Sequence, residues 1–164
     1  TLKESGGGSL SAPTGLAIDG TDLWLVDDSK GKIYRYVLSN AFSGSGNLNA
    51  AQEISFSGDN GSAEGLAIDA TYVYVLDDGD RQVYRYKRDG TGSPFASKVM
   101  KEVGGGSLSS PSGATIDGTS FWIVDRGKVK AYEYGLSNLF AGTGNLNASS
   151  EFSLDPANDD ARGL

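Results

Sequence analysis

The sequence predicts an all-β chain of small four-stranded antiparallel sheets in tandem. Three observations predict it: a unit of about fifty residues written three times, short β-rich apolar runs without a helical period, and glycines placed between those runs.

The repeat comes first. Gly15-Leu-Ala-Ile-Asp19 recurs as Gly65-Leu-Ala-Ile-Asp69 and, more loosely, as Gly113-Ala-Thr-Ile-Asp117, at spacings of 50 and 48 residues. Each copy is followed by an apolar run ending in Asp (Asp27, Asp77, Asp125) and then by a Tyr-x-Tyr (Tyr34/Tyr36, Tyr84/Tyr86, Tyr132/Tyr134). A longer period is superimposed. Residues 1–66 align without a gap on 99–164 with more than half of the positions identical, so the unit of duplication is a pair of unlike repeats 98 residues long. The expected organisation is one segment, 1–164: the tail of a preceding unit at 1–14, units at 15–64, 65–112 and 113–162, and the start of a further repeat at 163–164. The chain reads as part of a longer repeat protein; the alternative is a terminus that completes a neighbouring chain's sheet.

Within the first unit four strands are expected, at about 15–19 (a), 23–27 (b), 32–38 (c) and 51–57 (d). Val, Ile, Tyr, Phe and Trp fill them, and Gly, Asp, Asn and Ser bound them. Asp19-Gly20-Thr21 and Asp117-Gly118-Thr119 are hairpin-turn sequences in which Gly supplies a positive φ. Strand b is apolar on both faces, as in Leu23-Trp24-Leu25-Val26, and has to be covered on both sides. Small sheets of this kind stack radially, which is the β-propeller arrangement; an open superhelical stack of blades is the alternative. Gly6-Gly-Gly8 and Gly104-Gly-Gly106 read as flexible d–a connections.

Pro13-Thr-Gly15-Leu-Ala17-Ile-Asp19-Gly20, then Trp24-Leu-Val26-Asp27, then Ile33-Tyr34 resembles the NHL-type propeller pattern. Asp77 to Val83, with Arg81, comes nearest to that family's turn; Ser29 to Lys32 and Gly127-Lys128 depart from it. The resemblance implies a propeller fold through all three units and implies no particular activity. A closed ring takes about four to eight blades. Three blades then imply more repeats or a second chain, two copies giving six. The edges near Leu2–Ser5 and Glu151–Leu154 read as d strands and as the expected points of self-association or protein contact.

Composition narrows the chemistry. With no Cys and no His, soft and imidazole metal ligands, Cys nucleophiles and His bases are missing, so a metal would be oxygen-bound. A net charge of −7 with no basic cluster opposes a nucleic-acid partner, and no apolar run is long enough to span a bilayer. Strand alternation sends the b–c and d–a loops to one face, where acidic residues collect. Asp28, Asp78, Asp80, Asp59, Asp159 and Asp160 are the ligand-face candidates, and Asp27, Asp77 and Asp125 are candidate calcium ligands. Against this, Asp at a strand end often accepts turn N–H bonds instead. The repeated aromatics, Trp24 and Trp122 with the tyrosines, fit inter-blade packing better than a sugar-stacking surface. The long c–d loops at 39–49 and 137–147 form the opposite face, a recognition surface or the mark of duplication. Asn60-Gly-Ser62 and Asn147-Ala-Ser149 fit the N-glycosylation sequon.

Three function classes remain. The leading one is a non-catalytic extracellular or cell-surface repeat protein acting as a binding or assembly scaffold. The alternative is a propeller enzyme of lyase or calcium-dependent lactonase type with its site in the central channel. An intracellular interaction module that binds RNA fits the acidic balance poorly.

Overall fold

Runs rich in Val, Leu, Tyr and Trp, apolar on both sides, fold as the second strand of each sheet, where neighbours cover both faces. A computed structural model describes the chain apart from Phe42, Gly44, Ser45, Ser93, Phe95, Asp159 and Leu164. In chain order the strands are β1 (Leu2–Lys3), β2 (Pro13–Ile18), β3 (Asp22–Asp27), β4 (Lys32–Val37), β5 (Leu48–Asn49) and β6 (Gln52–Ser55). They continue with β7 (Ala63–Ile68), β8 (Tyr72–Asp77), β9 (Gln82–Lys87) and β10 (Ala96–Lys101). The last are β11 (Pro111–Asp117), β12 (Ser120–Asp125), β13 (Lys130–Gly135), β14 (Leu146–Asn147) and β15 (Ser150–Ser153).

Three antiparallel sheets result, ordered β2-β3-β4-β6, β7-β8-β9-β10 and β11-β12-β13-β15, with β14 added to the second along β10. This is the expected all-β chain of four-stranded blades. All of β3 is buried, as its two apolar faces require. The inner strand starts at Pro13 rather than near Gly15, because Pro13 pairs with Asp27 across a bulge at Thr14; the same irregularity recurs at Glu64 and Ser112.

The blades pack face to face. Trp24, Val26, Ile33 and Ile54 of the first blade meet Leu66, Val73, Val75, Tyr84 and Tyr86 of the second. Tyr74, Leu76, Val83 and Met100 of the second meet Phe121, Ile123, Tyr132, Tyr134 and Leu139 of the third. At the axis the motif glycines touch backbone to backbone. A Cβ on Gly65 would lie 3.0 Å from the Ala114 nitrogen and 3.2 Å from Gly113, and one on Gly15 would lie 3.0 Å from the Leu66 nitrogen. Gly113 approaches Gly163 in the same way.

Four expectations change. The Gly-rich connections are ordered turns, not flexible ones: Glu4 N–H donates to Gly8, Gly7 N–H to Glu4, and Lys3 bridges Ser9; the same bonds recur from Glu102 to Gly106. The Leu2–Lys3 edge is captured within the chain, pairing in parallel with β5. The loops at 39–49 and 137–147 do more than present a surface, since their ends carry β5 and β14, and β14 pairs in parallel with Met100–Lys101. Each odd blade is thereby stitched to the outer strand before it. Asn60 is buried, with its amide donating to the Tyr86 hydroxyl at 3.0 Å, so it is no glycosylation acceptor in this fold.

Candidate functional site

The b–c turn places one carboxylate of each blade where strand β3, β8 or β12 ends, and all three are buried. Asp27 accepts backbone N–H bonds from Ser11 (2.6 Å), Ala12 (2.9 Å) and Lys30 (3.1 Å). Asp125 accepts the same set from Ser109, Ser110 and Lys128. Asp77 accepts from Ser62 at 3.0 Å and Asp80 at 2.9 Å. A carboxylate holding two or three N–H donors joins its own turn to the incoming inner strand. Those donors take two or three of the about four acceptor positions of each carboxylate. Among the described residues no three acidic side chains gather as a metal cluster.

The ligand-face candidates divide in two. Asp28 accepts the Ala63 N–H at 2.8 Å and Asp78 accepts the Ser110 hydroxyl at 3.3 Å, so both tie one blade to the next. Arg126 takes this position in the third blade and donates to Ser110. Asp59, Asp80 and Asp160 are exposed on the rim. The Tyr84 hydroxyl brings the first two together, donating to the Asp59 carbonyl at 3.0 Å with the Asp80 carboxylate at 3.4 Å. Burial first, and then Asp80, pushes the Tyr84 pKa well up, so this hydroxyl stays a neutral donor. Asp160 pairs with Arg162; Asp159 lies outside the described residues.

At the centre of the same face the inner strands enclose a cavity of about 450 Å³ that is lined by Thr14, Glu64, Ser112 and Arg162, the residues just before each motif glycine. The bulge turns Thr14, Glu64 and Ser112 out of the ladder. Thr14 and Ser112 donate to the carbonyls of Ala63 and Ala161 and so lock to the next inner strand. The Arg162 pKa is raised, first by its bond to Asp160 and last by Glu64. The mouth therefore presents one carboxylate and one guanidinium inside an acidic rim. Sequence reasoning missed these four residues. Their signal was a motif position whose chemistry alternates, hydroxyl in odd units and charged in even ones.

All of the aromatic set but the half-buried Trp122 lies inside. Trp24, Tyr34, Tyr36, Tyr74, Tyr84, Tyr86, Tyr132 and Tyr134 are buried, and Trp122 rests on Phe152 with ring centres 6.1 Å apart. No helix among the described residues is long and apolar enough to cross a membrane.

No family model matches the sequence, and no curated protein sequence matches it. Solved structures do. Glutaminyl cyclase of Myxococcus xanthus is similar at 13% identity and a TM-score of 0.66, over 87% of this chain and 53% of that one. A chain of a nidogen/laminin complex is similar at 16% and 0.62, over 96% and 52%. A streptogramin B lyase is similar at 17% and 0.53, over 88% and 41%. The chain thus spans about half the length of the first two. These neighbours include enzymes and a protein–protein complex, so the likeness shows a fold common to catalysis and binding. That fold is the β-propeller.

Proposed function

We propose that the chain is a non-catalytic binding or assembly module of an extracellular or cell-surface repeat protein. One observation carries the reading: the two outward blade faces are built as packing faces. Leu16 and Ile18 are 56% and 58% exposed on the first blade, whereas Leu66, the counterpart of Leu16 in the second, is 2% exposed beneath its neighbour. Phe152 on the third blade is 52% exposed, whereas its counterpart Ile54 is 3% exposed. Contiguous apolar surface of this kind marks an interaction site. The extracellular setting rests on the repeat-dominated, acidic sequence. The rim of Asp59, Asp80 and Asp160 suits a cationic group on a partner.

The axial cavity favours one second reading, a propeller enzyme with Glu64 as its carboxylate. Two measurements on the full chain separate the readings. A hydrophobic dye should bind the chain and lose the first blade's share of its signal in the Leu16→Lys, Ile18→Lys variant. Turnover of lactone or lyase substrates that disappears in Glu64→Gln would refute the non-catalytic reading, and absence of dye binding would remove its main support.

A further inference from the structure

We infer that the outward face of the first blade is a seat for one kind of partner only: a blade of the second, even type, which presents an aromatic, an Arg and a Lys on its facing strands. The inference rests on the assembly reading above and names the partner.

The chain itself contains the junction that this face would make. The third blade is the 98-residue counterpart of the first, so what covers the third blade is what the first blade is shaped to receive. That cover is the back of the second blade. Tyr74 packs on Phe121 and stacks on Phe140, with ring centres 5.8 and 6.1 Å apart. The Arg85 guanidinium lies over the Phe140 ring at 4.2 Å, and the buried Lys98 ammonium donates to the carbonyls of Ala141 (3.4 Å) and Gly142 (3.0 Å). A cation over an aromatic face and an ammonium on loop carbonyls are specific requirements, not general stickiness. On the first blade the corresponding described residues, Leu16, Ile18, Leu23, Leu38 and Ala41, line an open groove of about 580 Å³.

A second copy of this chain offers the wrong chemistry. Its free back face is that of the third blade, where Glu133 stands in place of Arg85 and Phe152 in place of Lys98. Against a front face of the third blade's type, a carboxylate would replace the guanidinium over Phe140, and the carbonyls of Ala141 and Gly142 would lose their donor. Odd and even blades therefore alternate around the axis, a ring built from them holds an even number of blades, and three-plus-three closure by two copies is disfavoured.

The register of the repeat supplies the test. Residues 65–98 duplicated directly before Thr1 would build an even-type blade, its outer strand running into Leu2–Lys3 as Ala96–Val99 runs into Met100–Lys101. The comparison is the same extension carrying Arg85→Glu and Lys98→Phe in the duplicated copy. Both are read by thermal midpoint and by dye binding at the Leu16/Ile18 groove. The unaltered extension should raise the midpoint by at least about 5 °C and erase the difference in dye signal that Leu16→Lys, Ile18→Lys otherwise makes; the altered one should do much less. Equal effects of the two extensions would overturn the selection of an even-type blade while leaving the assembly reading intact. No effect of either would overturn both.

Discussion

Gly65→Ala tests how closely the inner strands approach. The added Cβ would sit 3.0 Å from the Ala114 nitrogen and 3.2 Å from two Gly113 atoms. All of these are backbone, so nothing can rotate away and the two inner strands must separate by a few tenths of an ångström. Overpacking of that kind costs about 1–3 kcal/mol. Gly65 is not in the left-handed region, so the alanine also narrows the unfolded ensemble and gives back about 0.4–1 kcal/mol. The net loss is about 1–2 kcal/mol, which for a chain of this size lowers the midpoint by about 2–8 °C. Gly58→Ala is the control. It also has an ordinary φ, but its Cβ would meet nothing within 4 Å, so only the stabilising contribution remains. Thermal and urea unfolding of the two variants should differ by about 2 kcal/mol. A Gly65→Ala chain as stable as Gly58→Ala would refute the backbone contact between blades.

Other substitutions and conditions should behave as follows. Val129 holds φ +54, where the same turn of the first blade has Gly31 at φ +60; Val129→Gly should stabilise by about 1 kcal/mol in urea unfolding, since a β-branched residue is strained there. Asp77→Asn turns an amide NH₂ onto one of the N–H donors that the buried carboxylate holds and should cost about 1–2 kcal/mol, whereas exposed Asp80→Asn should stay within about 0.5 kcal/mol. Burial raises the pKa of Tyr36 to about 12 and raises Tyr34, Tyr74, Tyr84, Tyr86, Tyr132 and Tyr134 as well. Because the folded state keeps these protons longer, stability should be fully present below pH 10 and fall as pH rises toward 12 and beyond. Tyrosinate absorbance should lag in the folded chain; free ionisation near the ordinary value without unfolding would contradict the burial. A calcium chelator should leave the midpoint unchanged, because a site binding only the folded state would raise it.

The repeat, its 98-residue pairing and the strands were legible because side-chain alternation and turn residues are local signals. Candidate-site residues were harder. Asp28 and Asp80 look alike on the page, each one or three residues past a strand end, yet Asp28 holds the next blade's backbone while Asp80 faces solvent. Glu64 could not be picked out without the bulge that turns it out of the ladder, nor Arg162 without the cavity that it lines. The stitching of Leu2–Lys3 to Leu48–Asn49 was visible only as two matched segments sharing the longer period, because pairing across 46 positions leaves no local pattern.

The sequence by itself determined the blade: which residues form strands, which turn, and that the apolar faces need covering. Tertiary structure decided what covers them. Whether an apolar face ends as core or as surface depends on what stacks against it, so Leu66 is buried and Leu16 exposed although both stand in the same Gly-Leu-Ala-Ile-Asp motif.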